Sequence, residues 1–338
     1  MPAEPPQPQH TTPPAAPDTP IRVLAEAAAT ARYAPSIHNT QPWRWRLTDD
    51  TLDLYAEPAR ILAVTDPDTR LATVSCGAAL HHARLSLAAQ GRAAQVTPLP
   101  EPDDPDLLAR VRLGDPVPAD PRAVRLAQAV PLRRTDRRPV TGPPLAPGVL
   151  AEITAAVQEQ GCWLHQLRPA QVLDLAVAAA QAQRAEAQDP DWQHELAYWA
   201  GGTRAAGTGV PGAAIPQEPP QTTVPGRDFG HPGELPPSAG HDHGAVFTVL
   251  YGPGDRRADW LRAGQALSAG WLTATVLGAS VLPLSAAVEV TATRLILRGL
   301  VSGIGHPYLV LRLGAVPADA AELPRVPRLS PAEIIERG

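Results

Sequence analysis

Two long helical patterns, 187 positions apart, limit what this 338-residue chain can fold into. The first opens at Asp66–Pro67, an acidic cap followed by Pro in the first turn, and runs to Gly91. The second runs from Arg256 to Gly278. Gly77, Leu80, Leu85 and Gly91 match Gly264, Leu267, Leu272 and Gly278, and Asp68 and Arg70 match Asp255 and Arg257. Such matches can arise between any two core helices. The alternative is a duplicated unit whose halves mimic a homodimer, with the two long helices in the middle of the interface.

The length allows two domains or one large one, at roughly 100–200 residues per domain. A hydrophobic content of 44% supplies a real core. All 29 basic side chains are Arg, and Lys is absent. That excludes Schiff-base chemistry on Lys and a lysine-containing phosphate loop, so a bound phosphate has to be held by Arg, hydroxyls or backbone N–H groups. A net charge of −5 argues against a nucleic-acid binder. Cys76 and Cys162 have no metal-like spacing, which fits two free thiols in a reducing compartment. The N-terminus lacks the basic and apolar regions of a secretory signal, and no stretch reads as a membrane span. A cytoplasmic protein is the expectation.

Residues 1–19 are Pro-rich and polar and read as a disordered tail. Pro20 opens a helix to about Arg32, and Trp43–Thr48 with Thr51–Glu57 reads as a hairpin. After the first long helix come strand-like Ala93–Leu99 and Leu107–Leu113 and a helix near Pro121–Ala129. A helix from Pro147 to Gly161, a strand at Cys162–Leu167 and helices at 169–188 and 190–200 follow. The Gly- and Pro-rich stretch 201–243 is aperiodic, as lids and linkers are. Val246–Tyr251 and Tyr308–Leu313 read as strands, Thr291–Val301 as a short helix, and the remainder as a Pro-rich tail.

Two constellations carry chemistry. In Ala34-Pro35-Ser36-Ile37-His38-Asn39-Thr40-Gln41-Pro42-Trp43, two prolines stiffen a loop bearing a hydroxyl, an imidazole and two amides. It suits the edge of a planar heterocycle, or equally a structured turn in which Asn and Ser cap backbone groups. In Arg133-Arg134-Thr135-Asp136-Arg137-Arg138, alternate Arg residues place guanidinium forks on one side of an extended segment. Forks bind phosphate bidentately and Thr135 adds a donor; a solvated basic surface is the other reading.

The first run resembles the flavin-contacting loop of the nitroreductase superfamily, and Arg-x-Thr-x-Arg is similar to its FMN phosphate motif, usually Arg-x-Ser-x-Arg-x-Phe. Their reversed order, with Ser75-Cys76-Gly77-Ala78-Ala79-Leu80 between them, resembles the fused, two-lobed Acg family over about residues 20–335. The resemblance implies an α+β, nitroreductase-like fold. It would be an internally duplicated pseudo-dimer with long central helices and flanking antiparallel or mixed sheets. The lobes would span 20–130 and 131–338, with 190–243 a lid-like insertion. It implies one FMN per chain at the lobe interface, hydride transfer through flavin N5, and NAD(P)H as a possible electron donor. No side chain need then be a catalytic acid or base. Arg133 and Thr135 would hold the phosphate, and Arg137 would lie near the pyrimidine edge. Pro35, Ser36 and Asn39 would contact the isoalloxazine, with Gln41 in the same cofactor-binding set. Pro283 and Ser285 match the segment that lies over the ring, and Arg325 and Arg328 fit a C-terminal phosphate contact.

Pro139 departs from the family pattern, standing where Phe is usual, and there is no second Pro-Ser-x-x-Asn loop. One of two pseudo-equivalent sites is therefore expected to bind FMN. The alternative function is an FMN-sequestering store whose lid blocks a nicotinamide donor. His241-Asp242-His243 and His81-His82 read as ordinary loop and helix residues rather than metal ligands, and Cys76 as a small buried residue rather than a reactive thiol. A monomer with no nucleic-acid or membrane partner is expected, and its electron acceptor is a small molecule that the sequence does not identify.

Overall fold

A computed structural model describes residues 19–200, 204, 207–238, 240–316 and 322–338. Of the tail expected at 1–19, all but Thr19 lies outside the described residues, as do parts of the loop after 200.

The first half begins with α1 (Pro20–Ala31), where Pro at the first turn costs no hydrogen bond and Val23, Leu24, Ala27, Ala28 and Ala31 make one buried face. A hairpin follows, β1 (Trp43–Leu47) and β2 (Thr51–Ala56). In β1, Trp43, Trp45 and Leu47 point inward while Arg44 and Arg46 lie over the ring of Tyr55. Each buried Trp contributes at most about 4–6 kcal/mol, from roughly 150–250 Å² removed from water. Then come α2 (Arg70–Ala89), β3 (Arg92–Pro98), β4 (Leu107–Pro116) and α3 (Pro121–Ala129).

The second half begins with α4 (Pro147–Gln158) and β5 (Trp163–Gln166). Next are α5 (Pro169–Gln188), α6 (Pro190–Ala200) and the long irregular loop. The chain resumes as β6 (Val246–Gly252), α7 (Arg257–Val276) and β7 (Ala279–Leu284). It continues through α8 (Ala286–Glu289), α9 (Thr291–Leu300) and β8 (His306–Ala315). It ends with α10 (Pro331–Ile334) and β9 (Ile335–Arg337).

The two sheets run β3-β4-β2-β1-β9 and β5-β6-β8-β7. Read from β7, the second is β7-β8-β6-β5, the same order as β3-β4-β2-β1. Each half is thus one helix, two strands, one long helix and two strands, paired antiparallel in the same order. In the second half, α5, α6 and the loop are inserted between β5 and β6, and α8 and α9 between β7 and β8.

The long helices α2 and α7 cross where Gly77 faces Gly264. A Cβ on Gly77 would land on the Leu261 carbonyl oxygen, and one on Gly264 on that of Val74. Four residues on, His81 Nδ1 lies 2.8 Å from Ser268 Oγ, again a pair 187 positions apart. Leu85 and Leu272 share one buried cluster. Residues that meet their own counterpart lie on a two-fold axis. The repeat is therefore a structural pseudo-dyad, and the small residues along it let the backbones close up. Helix α2 is buried on nearly every side, as a helix without a polar face has to be. Thr69 provides no side-chain cap; Asp66 instead accepts from the backbone N–H of Leu71 and Ala72. Burial raises the Asp66 carboxyl to about 6 despite those two bonds.

One segment departs from the sequence reading. The last residues, expected as a Pro-rich tail, cross back over the molecule. Leu329 and Ile334 are buried with the first half's core, and β9 pairs in parallel with β1.

Candidate functional site

The loop after α1 is held rigidly in place by α2. Ser75 Oγ donates to Leu71 O and accepts from Ile37 N, and Cys76 Sγ donates to Pro42 O. Ser36 Oγ accepts from Gln41 N within the loop, and Arg60 donates to the carbonyls of Gln41 and Trp43. Three non-glycine residues sit in the left-handed region: His38 (φ 43°), Asn39 (φ 55°) and Gln41 (φ 52°). Such strain persists only where surrounding contacts over-determine it.

Two of the three are tethers. Asn39 Nδ2 donates to Gly209 O and Pro327 O, both at 3.0 Å, and its Oδ1 accepts from Arg328 at 2.8 Å. Gln41 Nε2 donates to Gly207 O at 2.6 Å, and its Oε1 accepts from Leu329 N at 3.0 Å. The amides thus join the loop to the start of the long insertion and to the C-terminal strap.

Behind this loop lies a cavity of about 260 Å³. Pro35, Ser36 and Asn39 from the first half line it together with Arg133, Thr135, Arg137, Pro283, Ser285, Arg325 and Arg328. Leu71 and Val74 of α2 and Leu267 and Trp271 of α7 also line it, and Val210, Pro216, Val224 and Phe229 of the insertion close over it. One residue expected here is elsewhere: Gln41 does not line the cavity, because both ends of its fully buried amide are used by Gly207 and Leu329. Asn39 lines the wall, but its side chain already serves Gly209, Pro327 and Arg328, so it shapes the wall instead of offering a free amide.

One end of the cavity is strongly cationic. Arg133 is only 6% exposed, and its guanidinium carbon sits 4.4 Å from the centre of the Trp271 ring. Nε and Nη1 of Arg133 have no hydrogen bond among the described residues. Burial, then Arg328 and Arg134, pull its pKa well below the usual Arg value. Burial, then Arg134, lowers Arg328 to about 10. Arg137 is lowered to about 10 by burial and Arg227; it donates to Ala214 O at 3.0 Å and lies over Phe229. Residues 133, 135 and 137 reach the same cavity, and Arg134 lines it too, so the segment does not alternate strictly. Arg138 instead forms a forked pair with Asp136, both bonds at 2.9 Å. Arg312, buried against Asp242, donates to the carbonyls of Asp136 and Arg138 and fixes the segment on β8.

Sequence reasoning missed Arg227. It comes from the insertion and lines the cavity, clasped by Glu289 at 2.5 Å and Glu186 at 3.0 Å. Burial opposes its charge, but the two carboxylates outweigh that and raise its pKa. Nothing near Arg227 in the sequence signals this, since its partners lie 41 and 62 positions away.

No family model matches the chain. A Mycobacterium tuberculosis protein named "Putative NAD(P)H nitroreductase Rv3131" is 39% identical over 307 residues, 90% of this chain and 88% of that protein. Another, "Putative NAD(P)H nitroreductase acg", is 33% identical over 320 residues, 92% of this chain and 95% of that one. The chain belongs to the nitroreductase-like Acg family. Among solved structures, it is similar to the FMN and NADPH-dependent nitroreductase NfnB from Sphigopyxis sp. strain HMH. That match has 15% identity and a TM-score of 0.38, over 62% of this chain and 97% of that one.

This Acg-family chain has a single loop of the Ser36–Asn39 kind. At the pseudo-equivalent place, α4 passes to β5 through Glu159–Cys162 alone, too short to repeat it. Burial pushes the Cys76 thiol up, and Cys162 up to about 12, so both sulfurs stay protonated. Asp242 is taken by Val140 N and Arg312 between His241 and His243. No helix among the described residues is long and apolar enough to cross a membrane.

Proposed function

We propose that this chain is an FMN-dependent oxidoreductase with one FMN between its halves, reduced by NAD(P)H and passing hydride onward through flavin N5. The observation that carries this reading is Arg133, a buried cation with no carboxylate partner among the described residues. It stands at one end of a cavity lined by the loop of one half and the Pro283–Ser285 segment of the other. A permanently charged guanidinium left unpaired in the interior is costly, so its position makes sense only opposite an anion. The residues present therefore fit a phosphorylated cofactor. The nitroreductase names of both relatives point the same way.

Arg133, Thr135 and Arg328, with Arg325 at the exposed side, would hold the phosphate. Arg137 would place positive charge at the pyrimidine edge, where the reduced ring is electron-rich. Pro35 and Ser36 would support one side of the ring, and the end of β7 with Ser285 the other. The flavin, when bound, supplies two-electron hydride chemistry at N5. Val224 and Phe229, which line the cavity, would shield a bound ring from water, and Arg227 ties their segment to α5 and α8 through Glu186 and Glu289. Because one chain supplies both sides of the site, a monomer is sufficient, and nothing in the scheme requires a location other than the cytoplasm.

The test is the absorbance spectrum of the purified protein before and after anaerobic NADPH or NADH. The expected result is a yellow protein with one FMN per chain that bleaches with a nicotinamide donor. A colourless chain that takes up no FMN refutes the reading. Bound flavin bleached by dithionite but by neither nucleotide would instead mark a store.

A further inference from the structure

The strained loop spends Asn39 and Gln41 on tethers, and the third left-handed residue remains unexplained by them. His38 has φ 43° and ψ 26°, is 9% exposed, and lines the cavity. Its Nε2 is buried and has no hydrogen-bond partner among the described residues. An imidazole nitrogen hidden from water without a partner loses the hydrogen bond it would make in solvent. A non-glycine left-handed residue adds strain. Two costs on one residue at the wall of a ligand cavity point to a partner supplied by the ligand.

The electrostatics identify which part of a ligand. The charged groups acting on His38 are Arg227, from the insertion, and Arg137, from the arginine run. Burial, followed by those two cations, keeps the imidazole uncharged far below its usual titration range. A neutral imidazole beside two guanidinium groups adds a directed hydrogen bond without adding a third positive charge. That combination suits an electron-rich edge of carbonyl and ring-nitrogen atoms.

We propose that His38 is a further cofactor-binding residue, whose unpartnered ring nitrogen hydrogen-bonds the polar edge of the flavin beside Arg137. The inference rests on the functional reading above and deepens it. It assigns the orientation of the ring, with the pyrimidine edge toward the Arg137–Arg227 side, to a side chain whose Nε2 has no hydrogen-bond partner among the described residues.

The test compares His38→Phe, which keeps a flat ring and loses the hydrogen bond, with His38→Gln, which keeps a donor and an acceptor. FMN is titrated into the apo forms of the whole chain, and the visible flavin band is recorded. His38→Phe should bind FMN about two- to tenfold more weakly, the range for one neutral hydrogen bond, with a shifted band. His38→Gln should restore both. Equal affinity and an unshifted band in His38→Phe overturn the proposal while leaving FMN binding by the wild type intact. If His38→Phe does not fold, the wild type decides: its His38 ring-nitrogen resonance should move when FMN is added, and a resonance that stays put overturns the proposal. A wild-type chain that binds no FMN sinks both this inference and the reading beneath it.

Discussion

Arg133→Met separates a residue kept for a ligand from one kept for stability, because the two effects have opposite signs. In the protein alone, the Arg133 guanidinium is buried, its Nε and Nη1 lack hydrogen bonds, and it is repelled by Arg328 and Arg134. Met retains the apolar stem and the contact with Trp271 and removes the charge. The apo variant should therefore be more stable than the wild type, by about 1 kcal/mol or more. With FMN, the same substitution removes a charge-assisted contact of about 1.5–3 kcal/mol. The dissociation constant should rise roughly 10- to 150-fold. At a ligand concentration of 100 times the wild-type Kd, FMN stabilises the wild type by about 2.7 kcal/mol. A variant weakened 100-fold would gain only about 0.4 kcal/mol from the same solution. Thermal melts with and without FMN, alongside fluorescence titration, read both quantities. A variant less stable without FMN that binds it as tightly as the wild type would refute the assignment of Arg133 to the anion.

Gly77→Ala and Gly264→Ala should each cost about 1–3 kcal/mol or more in urea melts, since each methyl meets the facing helix's backbone. The double variant should cost less than the sum, because one separation of α2 and α7 relieves both. Asn39→Ala removes three hydrogen bonds at about 1 kcal/mol each and should make residues 322–330 and the insertion cleavable by protease. Burial lowers the His81 pKa to about 3, so its contribution is present above pH 6.5 and is lost as pH falls toward 3. From pH 8 to pH 5 that loss is about 2 kcal/mol. His81→Asn keeps a partner for Ser268 and does not titrate, so its stability should fall less over that interval by this amount.

Local signals made much of the fold readable. Alternating Trp43-Arg44-Trp45-Arg46-Leu47 marks a half-buried strand, and Gly91 and Gly278, with φ of 68° and 70°, mark the ends of the long helices. The segment Ala279–Leu284 was not read as a strand. It is in fact the edge strand β7, where the missing N–H of Pro283 does no harm. The strap was not readable. Three residues of β9 carry no period, and the pairing starts at Trp45↔Ile335, 290 positions apart. Nor was the division of labour in the loop. A sequence shows an Asn and a Gln near a His, but which amide is consumed by Gly207, Gly209 or Leu329 depends on chain that arrives from far away.

The sequence by itself determined the duplicated helices, the stiff Ser36–Asn39 loop and the supply of arginines, because helix periodicity, proline and side-chain charge act over a few residues. Only the tertiary structure decided that Arg133 has no carboxylate among the described residues while Arg138 and Arg227 find theirs, and that Asn39 and Gln41 become tethers while His38 does not. Pairing and burial are settled between segments that meet in space, and the free energy of a charged or polar group depends on that meeting more than on its neighbours in the chain.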